Sequence, residues 1–152
     1  GSAVGDRFFG PLAKGKAAEV AGDPDRRHTY TYVGDFGEAL VRLSETPSTW
    51  GRAWHVPNAP TGTTRALAEQ AAALAGTTPR LRTFARWQLR LVGLFVPAVR
   101  EMIEMLYEFE DDFVVDHSAY AAQCGDHATP LAESLAATLA ATGPEVASSA
   151  SA

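Results

Sequence analysis

The sequence predicts a mixed α/β fold, a small domain of short strands interleaved with helices, and three observations carry that expectation. HTYTYV, His28 to Val33, is a run of Thr, Tyr and Val that suits a pleated, half-buried strand. Immediately afterwards the apolar period lengthens: Phe36, Ala39, Leu40 and Leu43 fall at i, i+3, i+4 and i+7, one face of a helix that Asp35 opens. The same step recurs downstream, where the short run Ala53 to Val56 in GRAWHVPNA precedes a second helical pattern.

Taken in order, the chain opens with SAVGDRFFGPLAKGKAAEV, where Val4, Phe8 and Leu12 keep helical spacing while Gly10-Pro11 predicts a short or broken helix. AGDPDRR is a turn. After the first strand-to-helix step, Thr46-Pro47-Ser48 stops the helix, and Pro57 stops the strand at Ala53 to Val56. Thr63 is the expected N-cap of a helix from Thr64 to about Ala75, with Leu67, Ala71 and Leu74 on one face and Gly76 as its stop. PRLRTF reads as a third strand. From Arg86 to Phe109 the apolar residues keep helical spacing over a long distance, with Gly93 and Pro97 predicting a kink or split. Phe113 to Asp116 is a fourth short strand, followed by a helical turn through Tyr120. Thr129 is the expected cap of a last helix, with Pro130 at its first position and its end near Ala141. One domain over residues 1–142 and a disordered polar tail over 143–152 complete the expectation.

Composition narrows the function classes. The 152 residues are 46% hydrophobic and 20% charged, ordinary for a folded domain. Eighteen acidic against thirteen basic residues give a net charge of −5, which argues against a nucleic acid or an anionic membrane as partner. The single cysteine, Cys124, allows no internal disulfide and no cysteine-based zinc cage, and a cytoplasmic setting is expected. The Gly1-Ser2 start shows no charged-then-apolar leader, and no apolar run reaches membrane-spanning length.

The segments GDPDRRHTYTYVGDFGEALVRL, GRAWHVPNAPTGTTRALAEQAAALAG and EMLYEFEDDFVVDHSAYAAQCGDHATPLAESLAATLA, in that order and spacing, resemble the C-terminal part of the NAD-dependent epimerase/dehydratase family, the extended short-chain dehydrogenases. The resemblance covers most of the chain. It implies a substrate-binding region that packs onto a Rossmann half, and NAD(P) as cofactor of the complete enzyme, bound elsewhere than on this chain. The Gly-rich GxxGxxG turn is not present. Neither is the Tyr-x-x-x-Lys pair, since Tyr30, Tyr32, Tyr107 and Tyr120 are followed four residues later by Gly34, Phe36, Asp111 and Cys124. Without the pyrophosphate cradle and the tyrosinate-lysine pair, no independent redox activity is expected.

The resemblance also implies substrate-side residues. His28 stands where the family often has an Arg that contacts a nucleotide-sugar phosphate; one neutral donor replaces a permanent bidentate fork, which makes a nucleotide-sugar ligand less suitable. Asp35 matches the Asp of the family's V-x-D-x-A step, although capping alone favours an Asp there. Tyr30, Tyr32, His55 and Asn58 complete the candidate substrate-binding set, each against the plainer role of a hydrogen-bonded structural residue. No catalytic residue is assigned. Cys124 with His127, and the row Glu101, Glu104, Glu108, lack the further ligands a metal site needs. The expected partners are a small-molecule substrate and either a Rossmann-domain chain or a homo-oligomer. The alternative function is a stand-alone, cofactor-free isomerase, cyclase or lyase built on the same pocket.

Overall fold

The computed structural model describes residues 5–84, 86–96, 99, 103 and 107–142. Within them the chain is mixed α/β, and two small two-stranded sheets organise it. β1 (Ala18–Ala21) pairs parallel with β4 (Leu81–Phe84), Ala18 opposite Leu81 and Ala21 opposite Phe84. β2 (Arg27–His28) pairs antiparallel with β3 (Gly62–Thr63), and Phe113 adds a parallel bridge to His28.

The helices are α1 (Gly10–Ala13), which follows a π-turn over Gly5–Phe9, α2 (Val33–Glu45), α3 (Thr64–Leu74), α4 (Arg86–Gly93), α5 (Tyr107–Glu110), α6 (Ser118–Cys124) and α7 (Leu131–Ala141). A 3-10 turn, Pro47–Thr49, closes α2. The broken first helix matches expectation, because Gly10-Pro11 interrupts it after the π-turn. α3 also forms as its sequence predicts. Thr63 Oγ1 accepts the Ala66 N–H at 3.1 Å, and Gly76, at φ +67, turns the chain out of the helix.

The core gathers Phe8, Phe9 and Leu12 from the first turn and α1, Ala18 and Val20 from β1, Leu67, Ala68 and Ala71 from α3, and Leu135 from α7. The alanines of α3 lack bulk, so α1 and α7 come close to its axis and the large side chains of the neighbours fill the space. Thr77 donates its hydroxyl to the Leu12 carbonyl at 2.7 Å, fastening the end of α3 to α1.

Several sequence expectations shift. Ala18–Ala21, of which Ala18 to Val20 close the segment read as a short or broken helix and Ala21 opens the expected turn, is a strand: Gly15, at φ +65, ends the helix, and Ala18 and Val20 then turn inward while Glu19 faces out. The strand expected over His28 to Val33 pairs only through His28, and α2 starts at Val33 rather than Asp35, with Tyr32 extended at the N-cap. Ala53 to Val56 makes no ladder among the described residues; an extended run without a neighbouring edge forms no strand. α2 docks by the side that carries Asp35 and Ala39, leaving Phe36 and Leu40 of its expected apolar face exposed. The long helix from Arg86 ends at Gly93, in agreement with the expected split, while Pro97 lies outside the described residues. Phe113 to Asp116 contributes one bridge instead of a strand. Thr129 does not cap α7: Pro130 holds the N-cap position, and its carbonyl accepts the Glu133 and Ser134 amides at 2.9 and 3.1 Å. Val4 and the tail over 143–152 also lie outside the described residues.

Gly22 tests this packing. It sits at φ +71, where a Cβ would meet the Phe109 carbonyl oxygen at 2.4 Å, and the Asp23 amide donates to that same oxygen at 3.0 Å. Gly22→Ala should therefore destabilise the protein by about 2 kcal/mol in urea unfolding, by backbone strain and by displacing the segment that holds Phe109. An unchanged midpoint would contradict this geometry.

Candidate functional site

The residues expected from sequence at the substrate side divide into two groups. His28 is buried, its ring stacked on Phe109 at 6.0 Å and tilted against Tyr30 at 6.2 Å, so it packs as part of the β2 junction. Tyr30 is half-buried; its hydroxyl lies 2.6 Å from Thr64 Oγ1, and burial raises its pKa against the opposing effect of that bond. Tyr32 lays its ring over Gly34, where a Cβ would come within 2.5 Å of it. Asp35 is buried in the first turn of α2, where its carboxylate accepts the Thr129 amide at 2.9 Å and the Thr129 hydroxyl at 2.5 Å. These bonds take the Thr129 hydroxyl away from α7 and tie the approach to that helix onto α2. The remaining two residues lie together. His55 is exposed, and its Nδ1–H donates to the Asp116 carbonyl at 3.0 Å. Asn58 is buried, donates Nδ2–H to the Val56 carbonyl at 3.1 Å, and lines a cleft.

That cleft has a volume of about 430 Å³ and three walls: Asn58 to Thr61, Val115 to His117, and Asp126 with Ala128. Thr29 joins the first two. Its hydroxyl lies 2.7 Å from Thr61 Oγ1 and accepts the Val115 amide at 3.0 Å, while its own amide donates to the Phe113 carbonyl. The second wall runs into α6 through a side-chain turn in which Asp116 accepts the Ser118 amide at 2.8 Å and the Ser118 hydroxyl at 3.1 Å. The third follows Gly125, whose φ of +79 reverses the chain after α6, and Asp126 there accepts the Ala128 amide at 3.1 Å.

The charges in the cleft are of one kind. The Ser118 amide and hydroxyl hold the Asp116 carboxyl below its usual range, with smaller help from His117 and His55. The Ala128 amide does the same for Asp126, assisted by His117, whose Nε2 lies 3.6 Å from Asp126 Oδ1. The lining has neither Lys nor Arg. Two ionised carboxylates, an imidazole, an amide and a hydroxyl suit a hydroxyl-rich or cationic ligand and repel a phosphate. The imidazole-carboxylate pair can also hold or pass a proton.

Asp126, Thr61 and the place of His117 at this cleft were not anticipated from sequence. The available signal was the pair of Asp-led turns, Asp116-His117-Ser118 and Asp126-His127-Ala128, which bracket α6. His127 turns away from the cleft: its Nε2–H donates to the Asp35 carbonyl at 3.3 Å, and its ring meets Tyr120 edge-on at 5.6 Å. Among the described residues no group of three or more His, Cys, Asp or Glu side chains could hold a metal ion. Glu101 and Glu104 lie outside those residues. Among them, too, no helix is long and apolar enough to cross a membrane. Comparisons with protein-family models, with curated proteins and with solved structures return no match.

Asp116 and Asp126 set the acid response of this region. Because their folded pKa values are depressed, the stability they contribute is present above the unfolded carboxylate pKa of about 3.9 and is lost as pH falls through the folded values. The thermal midpoint should hold from pH 7 to about 5 and fall below about 4, with a shallower acid limb in Asp126→Asn. A midpoint that rises on acidification would contradict this assignment.

Proposed function

We propose that this chain is the substrate-binding region of an epimerase/dehydratase-like reductase, acting with a nucleotide-binding partner surface and without redox activity of its own. One observation carries the reading. Val33, Phe36, Leu40 and Val41 form a single exposed apolar face on α2, the helix that follows the strand-to-helix junction, while Asp35 and Ala39 on its other side are buried. A helix that leaves its large apolar residues in water and buries a carboxylate is placed for a further surface to cover it. In this reading, which rests on the sequence resemblance, that surface is a Rossmann half.

The cleft refines the substrate class. Asp116 and Asp126, together with His28 in place of an Arg, favour a neutral or cationic hydroxyl-bearing molecule over a nucleotide-sugar phosphate. The His117–Asp126 pair favours a second reading, a cofactor-free isomerase, cyclase or lyase working by proton transfer. That reading requires turnover by this chain alone and its loss in His117→Gln.

Calorimetric titration of the purified chain with NAD⁺ and with NADPH tests the leading proposal. It predicts no binding heat for either nucleotide, because the described chain offers no Gly-rich strand-to-helix turn to receive a pyrophosphate. Micromolar binding of either would overturn the assignment.

A further inference from the structure

The cleft carries more negative charge than its own residues can balance. Asp116 and Asp126 bring two carboxylates, and among the described lining residues half-buried His117 is the side chain that can become a cation. Its Nε2 lies 3.6 Å from Asp126 Oδ1, so a charged imidazole answers one carboxylate and leaves the other.

Two acceptors on the walls are also open. Asn58 is 6% exposed and gives its Nδ2–H to the Val56 carbonyl, which leaves its Oδ1 without a partner among the described residues. Asp126 accepts the Ala128 amide and faces His117 through Oδ1, which leaves its Oδ2 in the same condition. A buried amide oxygen is ordinarily bonded, so the Asn58 oxygen on a cleft wall marks a place for a donor from outside the chain.

We propose that the cleft takes its ligand by a primary ammonium group, and that this group and the proton on His117 oppose each other's binding. The inference rests on the reading of the cleft as the substrate side and names the group by which the ligand is held. A primary ammonium brings three N–H donors, a positive charge and no acceptor, which suits open oxygens between two carboxylates. A neutral polyol brings donors without the charge. With His117 protonated, a second cation enters against the first; with His117 neutral, Asp126 is free to receive it. Entry of the ammonium therefore releases a proton from the ring to solvent, and by reciprocity acid weakens the binding. The other groups that bear on this pair are Asp116, His55, whose ring bonds the Asp116 carbonyl, and His127 behind Asp126. The bonds of their own turns hold Asp116 and Asp126 ionised while an imidazole changes charge.

Calorimetric titration of the full chain with glucamine, a polyol bearing a primary ammonium, and with glucitol, its neutral counterpart, tests this in buffers of different ionisation enthalpy. Glucamine should bind in the roughly millimolar range expected of exposed carboxylates, about fivefold more weakly at about pH 5.5 than at about pH 7.5, and release protons between them. Glucitol should bind more weakly, with no proton released, and Asp126→Asn should remove the advantage of glucamine over it. His117→Gln should bind glucamine equally at both pH values without proton release, while His55→Gln should keep the pH dependence. Absence of glucamine binding, equal affinity at both pH values in the wild-type chain, or proton release that survives in His117→Gln would overturn the proposal. The proton count fails separately from the substrate-region reading, which NAD⁺ binding overturns.

Discussion

The cleft depends on the backbone of Arg27 to Thr29 being bonded along both edges. On one side Arg27 and His28 pair with Thr63 and Gly62; on the other, the Phe113 amide donates to the Arg27 carbonyl at 2.8 Å and the Thr29 amide to the Phe113 carbonyl at 3.0 Å. A segment of three residues thus brings together parts of the chain more than thirty and more than eighty positions away. The Thr29 hydroxyl extends the junction into the cleft walls, and the Arg27–Asp112 pair fastens its outer end. Arg27 and Asp112 are largely exposed, so that ion pair adds register more than stability.

A division of labour follows. The apolar core lies among α1, β1, α3 and α7, where small residues on α3 allow close packing, and the cleft lies beside it in irregular chain held by side-chain hydrogen bonds. Loops can hold a binding surface of this kind because Asn58, Asp116 and Asp126 each satisfy nearby backbone groups, which fixes the walls without regular structure. α2 belongs to neither part. It is tied at one end by Asp35 to Thr129 and at the other by Arg42, which donates to the Cys124 carbonyl at 2.9 Å, and so it presents its apolar side outward.

Local signals made much of the fold legible. The Thr63 cap, the Gly76 stop, the Gly10-Pro11 break and the LRTF strand depend on neighbouring residues and could be read directly. Features decided at a distance could not. Whether AAEVA is helix or strand depends on the edge offered by Leu81–Phe84, and whether Thr129 caps α7 depends on a carboxylate on α2. The same limit applied to the site. Of the two residues read from WHVPNA, Asn58 lines the cleft while His55 bonds the Asp116 carbonyl behind its second wall, whereas Asp126 reaches the cleft only through the reversal at Gly125. Asp35 looked like a helix cap with a ligand role in reserve, yet its burial against Thr129 makes it a tether.

Amide and side-chain NMR shift mapping tests the central claim, a substrate-side cleft that accepts hydroxyl-rich or cationic ligands and excludes phosphates. Titration with glucosamine, a cationic polyol, should move the signals of Asn58, Thr61, His117 and Asp126 and leave those of His28 and Asp35 in place, while glucose 1-phosphate should move none of them. A response to glucose 1-phosphate centred on His28, with the cleft silent, would contradict the account.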